Sequence, residues 1–318
     1  MKTLKIVQII LLTIIAVGLI TVMVVAIAGN FSIGSFFINA RSTQIFDTEF
    51  DSKGVTSIVF DISSSDVEVC YSDTEKIRVV YCGAENEVDD STVTAEIKSD
   101  TLLIKQENRI TWFQWGVNRL ITIYVPESFN GKFDYACSSG DLVFTENFNF
   151  SEITSSSSSG DLKAMNLNCE TFKATCSSGD INLGALQAGE FTFVLTSGNI
   201  SAQELHGDGK LSLTSGEVTI DAFYGKGAFK TVSGDIQLEI YEATGDVEVK
   251  VTSGDVRVNI IEGTAFLCDF SVTSGDIRTD FASSNSEKSE HSYTGSIGEN
   301  PVNTLKIGTT SGDILVTG

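Results

Sequence analysis

Alternating hydrophobic and polar residues dominate the chain from about residue 46 onward. Phe133, Tyr135 and Cys137 alternate with polar residues, and Leu142 and Phe144 continue the alternation after a short polar break. Successive side chains of a strand point to opposite faces, so this pattern is typical of strands with one buried face. The same pattern returns every 18–21 residues, and the chain therefore reads as a series of short β-repeats.

A Ser-Gly-Asp motif separates the two strands of each repeat. Glycine suits a tight corner that needs a positive φ, and Asp or Asn can bind backbone groups of a turn. Copies lie at Gly140, Gly160, Gly179, Gly198, Gly216, Gly234, Gly254, Gly275 and Gly312, with spacings of 20, 19, 19, 18, 18, 20, 21 and 37 residues. The last gap equals two periods. Degenerate copies are Ser64-Ser65-Asp66-Val67 and Thr294-Gly295-Ser296-Ile297, while Thr244-Gly245-Asp246-Val247 is out of phase and predicts an opposite corner.

Stacking of these repeats predicts the fold class. A repeat of this length cannot bury its own apolar face, but stacked copies bury a continuous core. We predict an all-β protein, a single-stranded β-solenoid (β-helix-like) of about ten coils, preceded by one transmembrane helix. Each coil would rise about 4.8 Å, the spacing of paired strands. A pair of β-sandwiches is the alternative architecture.

The chain divides into four predicted segments. They are a cytoplasmic tip and transmembrane signal-anchor (1–28), a linker (29–45), N-terminal β coils or a β-rich cap (46–130) and the repeat solenoid (131–318). Solenoid ends require capping, because an open terminal coil would pair with other chains. Residues 282–303 are rich in Ser, Asn, Glu and Gly, and we expect a loop there or a coil decorated with one. Strands in the cap are expected at Val55–Ile62, Asp66–Tyr71, Ile77–Tyr81, Thr92–Ile97, Leu102–Gln106 and Leu120–Val125.

The N-terminal apolar run predicts a membrane anchor. Ile6 to Ala28 contains no charged residue, and a helix of that length would be about 34 Å long, enough to cross a bilayer core. Lys2 and Lys5 precede it, which places the N-terminus in the cytoplasm and the rest outside a single-pass cell-membrane protein. Small residues at the end of the run also fit a cleaved signal peptide, which would export the same domain.

Charge and composition exclude several partners and chemistries. The net charge is −21, so the protein should repel nucleic acid and anionic lipid. The two histidines, His206 and His291, lie far apart in sequence, and the six cysteines form no C-x-x-C pair, so a zinc site is not expected. We assign no catalytic, cofactor-binding or metal-binding residue and expect no cofactor. A polysaccharide lyase would need a clustered base and cation, but the basic residues are scattered in the sequence.

Two further features have both a structural and a functional interpretation. The turn acids would line one corner about 4.8 Å apart, either held by turn hydroxyls and backbone N–H groups or binding Ca²⁺ or a cationic ligand. The segment Trp112-Phe113-Gln114-Trp115 could cap the solenoid, or contact a membrane or a partner. The predicted row of turn acids comprises Asp141, Asp161, Asp180, Asn199, Glu217, Asp235, Asp255 and Asp276.

The repeat positions of two cysteines argue against a disulfide between them. Cys137 and Cys176 each precede a turn glycine by three residues, with Ser157 at that place in the intervening copy. Two coils would separate their Cα atoms by about 9–10 Å, whereas a disulfide needs about 4.4–6.8 Å. We therefore expect both thiols to be free.

The strand Ile121–Val125 followed by Pro126 and by serial Ser-Gly-Asp turns resembles the bacterial "putative adhesin" family, which includes LiaG-like envelope proteins and has no known function. The resemblance spans roughly residues 50–318 and implies a β-solenoid, often behind a membrane anchor, with no known catalytic residues. The expected function is a noncatalytic envelope module that binds an unknown protein, peptide or wall polymer. An accessory or regulatory protein of a membrane stress-sensing system is the alternative.

Overall fold

The computed structural model describes residues 43–83, 93–107, 119–281 and 283–318. These residues form strands and no helix, so the described part is all-β, as the alternation predicted. The first strand begins at Thr43, so residues 43–45 are strand rather than linker. The strands are β1 (Thr43–Asp51), β2 (Ser57–Ile62), β3 (Asp66–Ser72), β4 (Lys76–Gly83), β5 (Val93–Lys98), β6 (Thr101–Gln106), β7 (Leu120–Pro126), β8 (Lys132–Ser139), β9 (Leu142–Asn149), β10 (Glu152–Ser159), β11 (Leu162–Ser178), β12 (Ile181–Ser197), β13 (Ile200–Ser215), β14 (Val218–Ser233), β15 (Ile236–Ser253), β16 (Val256–Ile260), β17 (Phe266–Ser274), β18 (Ile277–Asp280), β19 (Ser284–Lys288), β20 (Ser292–Ile297), β21 (Thr304–Ser311) and β22 (Ile314–Thr317).

Each coil contains a pre-turn segment, which leads into a Ser-Gly-Asp turn, and a post-turn segment, which leaves it. β11 to β15 run from one turn to the next, so each holds the post-turn segment of one coil and the pre-turn segment of the following turn. Neighbouring coils pair in parallel and in register, with Ser178 opposite Ser197 and Ile181 opposite Ile200. The backbone ladder continues through the turn, since the N–H of Gly179 donates to the carbonyl of Ser197 at 3.2 Å. The described repeats therefore form the stacked β-solenoid that the sequence predicted.

The core lies between the sheet of pre-turn segments and the sheet of post-turn segments. Side chains from both sheets meet there, as the alternation requires. Phe172 and Phe193, in neighbouring coils of the pre-turn sheet, have ring centroids 5.4 Å apart, and Phe191 contacts Phe223 of the post-turn sheet at 6.4 Å. All four rings are buried. One apolar column thus runs along the stack and stabilises every coil through its neighbours.

The turn glycine is required by both its conformation and its neighbour. Gly216 has φ of +134°, a region that penalises a Cβ. A Cβ at this position would also overlap the carbonyl oxygen of Gly198 in the adjacent coil. A side chain of any size would therefore clash at this corner of the stack, which explains why the motif has glycine there.

The degenerate Ser64-Ser65-Asp66-Val67 copy is a turn, as predicted, and it stacks directly on the Gly140 turn. The N–H of Ser139 donates to the carbonyl of Ser63, and the N–H of Asp141 donates to Oδ1 of Asp66. β6 and β7 extend the two sheets outward in parallel, whereas β5, β4 and β1 add antiparallel strands. The antiparallel strands make the terminal edges differ from the repeats, as a cap should.

The C-terminal end departs from the predicted order of coils. β21, which leads into the Gly312 turn, pairs on one side with β15 and on the other with β17. Ser311 therefore lies opposite both Ser253 and Ser274, and the last coil of the chain sits between two earlier ones. The predicted sequence of turns, with Gly275 directly after Gly254, was wrong at this step.

The Thr294-Gly295-Ser296-Ile297 segment is not a corner, and its assignment as a degenerate turn was wrong. It belongs to β20, which pairs antiparallel with β17 and places Gly295 opposite Cys268. β19 and β20 form a hairpin that covers the outer edge of β17 and returns the chain to the inserted coil. The chain thus runs antiparallel to β17 in β20 before β21 enters between β15 and β17 in the parallel direction.

The out-of-phase Thr244-Gly245-Asp246 segment lies at the corner opposite the turns, as predicted. Gly225 pairs with Ala243 and Gly227 pairs with Val247, so the β15 side of this corner has residues without a partner in β14. The bulge adds residues to the corner, and the register of the pre-turn segments is regular again from Gly227 and Val247 onward.

None of the described residues forms a helix long and apolar enough to cross a membrane. The predicted spanning segment, Ile6 to Ala28, lies outside the described residues, as do Trp112 and Trp115.

Candidate functional site

The acidic residue after each turn glycine forms a continuous row, here called the acid ladder. The N–H of a member donates to the Oδ1 atom of the preceding member in the stack, at 2.7–3.0 Å, in eight of the nine steps; among the described residues, the step from Asp235 to Glu217 lacks this bond. The donors are backbone N–H groups, one of the two classes that we predicted would hold these side chains. In spatial order the ladder is Asp66, Asp141, Asp161, Asp180, Asn199, Glu217, Asp235, Asp255, Asp313 and Asp276.

Basic side chains offset repulsion along parts of the ladder. Lys163 bridges Asp141 and Asp161, with Nζ–Oδ2 distances of 3.9 and 3.0 Å. Arg257 bridges Asp235 and Asp255, at 3.4 and 3.1 Å. Each basic residue stands two positions after a ladder acid, so it reaches back over its own turn and the one before.

Repulsion between ladder acids is also reduced at two other parts of the ladder. Arg278 bridges Asp276 and Asp313 at the C-terminal end of the ladder, and Asn199 places a neutral amide between Asp180 and Glu217. Among the described residues, no group of three His, Cys, Asp or Glu side chains is arranged to hold a metal ion. The ladder thus joins neighbouring turns, because the Oδ1 atoms of its members accept hydrogen bonds from the backbone of the next turn.

The cysteines have the register that the repeat predicted. Cys137 and Cys176 both pair with Ser157, one on each side, so two strand spacings separate them. Both thiols are free, and burial raises the pKa of Cys137. Burial also raises the pKa of Cys169 and of Cys268 to about 12. These thiols are apolar core groups rather than nucleophiles.

A groove crosses the outer face of the pre-turn sheet. Its volume is about 650 Å³, and it spans six neighbouring strands, from β12 through β13, β14, β15 and β21 to β17. Five strand spacings give it a length of about 24 Å along the solenoid axis. Its outward-facing side chains are hydroxyls, two valines and two lysines, and they are Val194, Thr196, Ser212, Thr214, Lys230, Val232, Lys250, Thr252, Ser271, Thr273 and Thr310.

The two lysines of the groove share one acidic partner. Lys230 and Lys250 are Cα partners on neighbouring strands, and both side chains pair with Glu248, in the case of Lys230 at 3.4 Å. The hydrogen bond from Lys250, with help from both lysine charges, holds the pKa of Glu248 below its usual range. Two positive charges thus face one negative charge, so this part of a strongly acidic protein is locally positive.

The sequence analysis missed this lysine pair, although a signal was present. Lys230 and Lys250 each stand four residues before a turn glycine, Gly234 and Gly254, so they occupy the same position in successive repeats. Basic residues that are scattered along the chain become neighbours when the coils stack. Aligning the repeats column by column would have shown the pair.

The outer face of the post-turn sheet carries a row of amides and aromatic rings. Asn168 donates to Asn149 at 3.2 Å, and the row continues through Gln187 to His206 and Tyr224. The rings of His206 and Tyr224 stack at 4.2 Å, as expected for side chains in register on neighbouring strands. Tyr241 extends the contact, with its ring centroid 5.4 Å from that of Tyr224, so the row joins neighbouring strands of the stack.

The other histidine, His291, lies in the β19–β20 connection, far along the chain from His206. Its carbonyl accepts from the N–H of Val272, so the connection is tied to β17. Nε2 of His206 lies 3.4 Å from Oε2 of Glu204, two residues away on the same strand, and this pair is exposed to solvent.

A comparison with family models identifies the chain. Residues 55–317 match the model described as Toastrack DUF4097. The protein belongs to this family. The match covers the N-terminal cap from Val55 onward and every Ser-Gly-Asp turn, so it agrees with the sequence resemblance over nearly the same residues. Among proteins with curated descriptions, none matches this sequence significantly.

Solved structures share the Toastrack fold at low sequence identity. A "putative adhesin" from Parabacteroides distasonis ATCC 8503 aligns with a TM-score of 0.54 and 11% identity, over 87% of this chain and 98% of that one. A "putative adhesin" from Parabacteroides merdae ATCC 43184 gives 0.53 and 11%, over 88% and 98%. Identities this low establish the fold alone.

Proposed function

We propose that this Toastrack protein is a noncatalytic, membrane-anchored envelope module that binds its partner along the pre-turn groove. The groove is the observation that carries the proposal. It is long, it is open to solvent, and its side chains come from six strands that the coil stack holds in fixed register. A surface with this form suits recognition of an extended ligand without any movement of the backbone.

The side chains of the groove favour binding over catalysis. Its lining contains Ser, Thr, Val and Lys, and none of the lining residues is a His, Cys, Asp or Glu. Hydroxyls without a neighbouring base are weak nucleophiles, so the lining lacks the pairing that covalent catalysis needs. The two solved structures of similar fold that are described as "putative adhesin" are consistent with a binding role.

The cellular placement is part of the proposal. The uncharged run from Ile6 to Ala28, with Lys2 and Lys5 before it, favours a single-pass anchor with the solenoid outside the cell membrane. The net charge of −21 would keep the exported solenoid away from nucleic acid and anionic lipid surfaces.

Site-specific photocrosslinking in intact cells tests the binding role. A photoreactive amino acid is placed at Thr214 or Thr252 in the groove of the full-length protein, and at Asp134, which is exposed on the same sheet outside the groove. We expect a discrete higher-mass adduct from both groove positions and none from Asp134. Equal labelling at all three positions, or no adduct at any of them, would remove the basis for a groove-binding module. Protease added to wall-stripped cells should digest the solenoid, and full protection would contradict the external placement.

A further inference from the structure

The pairing of the strands beneath the groove restricts what it can bind. β12, β13, β14, β15, β21 and β17 each have a hydrogen-bonded strand on both sides. An extended peptide that adds to a sheet needs an open edge, and none is available in the groove. A peptide there would leave its own backbone groups without ladder partners, so the ligand must make its hydrogen bonds through side groups.

The lining instead matches a ligand that is dense in hydroxyl groups. Thr196, Thr214, Thr252 and Thr310 occupy the same repeat position, two residues before the turn glycine, and so form a row of hydroxyls along the groove. Each hydroxyl both donates and accepts, and therefore adapts to either role of a sugar hydroxyl. An extended chain of pyranose rings also repeats at a spacing similar to that of paired strands.

Exposed apolar groups are interleaved with the hydroxyls. Val232 is 52% exposed and Val194 is 42% exposed, although both lie on the outer face of internal strands. The threonine methyl groups add to this surface. Sugar rings present C–H faces as well as hydroxyls, so a mixed apolar and hydroxyl lining suits them better than it suits a polyphosphate.

The lysine pair adds a preference for a ligand that carries a carboxylate. Among the described residues, Lys230 and Lys250 form ion pairs with Glu248 alone, so two positive charges share one negative charge beside the groove. A carboxylate between the two ammonium groups would complete the pairing through charge-assisted hydrogen bonds. A polyphosphate, whose charges are closer together than one per sugar ring, is disfavoured because the protein as a whole carries a charge of −21.

We propose that the groove binds a linear glycan containing uronic acids, with its chain along the solenoid axis and one carboxylate between Lys230 and Lys250. This inference rests on the proposed binding function and adds the class of ligand. Hydroxyls of neighbouring sugars contact the threonine row, and their C–H faces contact Val194 and Val232.

The test is calorimetric titration of the full-length protein in detergent with hexasaccharides of galacturonate, mannuronate and hyaluronan, and with chitohexaose as a neutral glycan. We expect saturable binding of at least one uronate glycan, weakened roughly tenfold by the double variant Lys230→Gln/Lys250→Gln. Binding should also weaken as the salt concentration rises from about 50 to about 200 mM, because salt screens the attraction between exposed charges over this range. Lys306→Gln is the matched control, since Lys306 is exposed on the same sheet, pairs with Asp269 and does not line the groove.

A groove-filling variant, Thr214→Trp, should abolish binding while melting curves show that it still folds, because Thr214 points outward and tryptophan is compatible with strands. The proposal is overturned if none of the three uronate glycans binds, or if chitohexaose binds as well and the lysine variant changes nothing. Groove-specific crosslinks in cells together with no uronate binding would reject this ligand class and leave the binding module standing. Uronate binding without groove crosslinks would reject the module as the cellular role.

Discussion

The backbone N–H of Asp161 donates a 2.8 Å hydrogen bond to Oδ1 of Asp141, the residue at the same place one coil earlier. The side chain of Asp161 in turn accepts from the N–H of Asp180. Asp141 and Asp161 therefore each satisfy a backbone donor that lies at a corner, where the strand ladder alone could leave it unpaired. These two like charges are stable side by side because each carboxylate has a fixed hydrogen-bond donor, and Lys163 bridges them.

Removal of one ladder carboxylate should destabilise the protein measurably. Asp161→Leu leaves the N–H of Asp180 without its acceptor, and we expect a loss of about 1–2 kcal/mol in the free energy of unfolding. Asp161→Asn keeps an oxygen acceptor and should cost less. Asp276→Leu is the matched control, because Asp276 is the last ladder member and is highly exposed. Denaturant unfolding measures all three, and equal costs for Asp161→Leu and Asp276→Leu would contradict a stabilising role for the ladder bonds.

The ladder should also make stability depend on pH in the acid range. The hydrogen bond from Asp180, with a smaller contribution from Lys163, holds the pKa of Asp161 below its ordinary value. The unfolded chain then binds the proton first, so this contribution is present above the ordinary aspartate pKa near 4 and is lost as pH falls through the folded pKa. Melting temperatures measured from pH 5 to pH 2.5 should fall, and the fall should be smaller in Asp161→Asn. A parallel decline in both proteins would show that other groups cause the acid sensitivity.

Substitution of a turn glycine should cost more than its φ angle alone explains. Gly216 and Gly263 both have positive φ, but only Gly216 has a neighbouring carbonyl where a Cβ would lie. We expect Gly216→Ala to destabilise by about 3 kcal/mol or more and Gly263→Ala by about 1 kcal/mol. Gly308→Ala, which adds only ordinary contact with Ser271, should be nearly neutral. Similar melting temperatures for Gly216→Ala and Gly263→Ala would argue against close stacking of the corners.

The repeat pattern predicted most of the stack because one local rule generates it. The turn glycine, the acid after it and the alternating apolar residues recur in every coil, so in-register stacking followed directly, including the degenerate copy at Ser65 and Asp66. The same rule could not predict that the Gly312 coil lies between the coils of Gly254 and Gly275. All three turns look alike, and nothing in a single coil specifies its neighbour when a hairpin intervenes.

The groove depended on that stacking and was therefore less accessible from the sequence. Its lysines become neighbours only when repeats are aligned, and its six strands include β21, whose place in the stack was mispredicted. The apolar core was easier to predict, because burial follows from alternation in each strand separately. The spanning helix and the tryptophan loop stay predictions, since both lie outside the described residues.

Thiol chemistry should reflect the register of the cysteines. Cys137 and Cys176 flank Ser157 on opposite sides, about 9–10 Å apart by two strand spacings, so no disulfide can join them. We expect no peptide linking them in a nonreduced digest. Cys137, Cys169, Cys176 and Cys268 are buried, so they should react with thiol reagents only on unfolding, after the partly exposed Cys70 and Cys82. Rapid labelling of Cys137 or Cys176 in the folded protein would mean that this region is stacked differently.

The inserted coil should be essential to the C-terminal end, and two adjacent residues of β22 test this. Ile314 is fully buried and β22 joins β16 to β18, so loss of packing at Ile314 affects both neighbouring coils. We expect Ile314→Ala to destabilise by about 2–5 kcal/mol, as is usual for buried aliphatic residues. Leu315→Ala is the matched control on the same strand, since Leu315 faces outward and is 38% exposed, and it should cost less than about 1 kcal/mol.

Hydrogen exchange adds a regional measurement, because Ile314→Ala should raise exchange in β16 and β18 together if the last coil sits between them. Faster exchange in β18 alone, with β16 unchanged, would instead fit a last coil stacked at the end of the solenoid, and the inserted order would then be wrong.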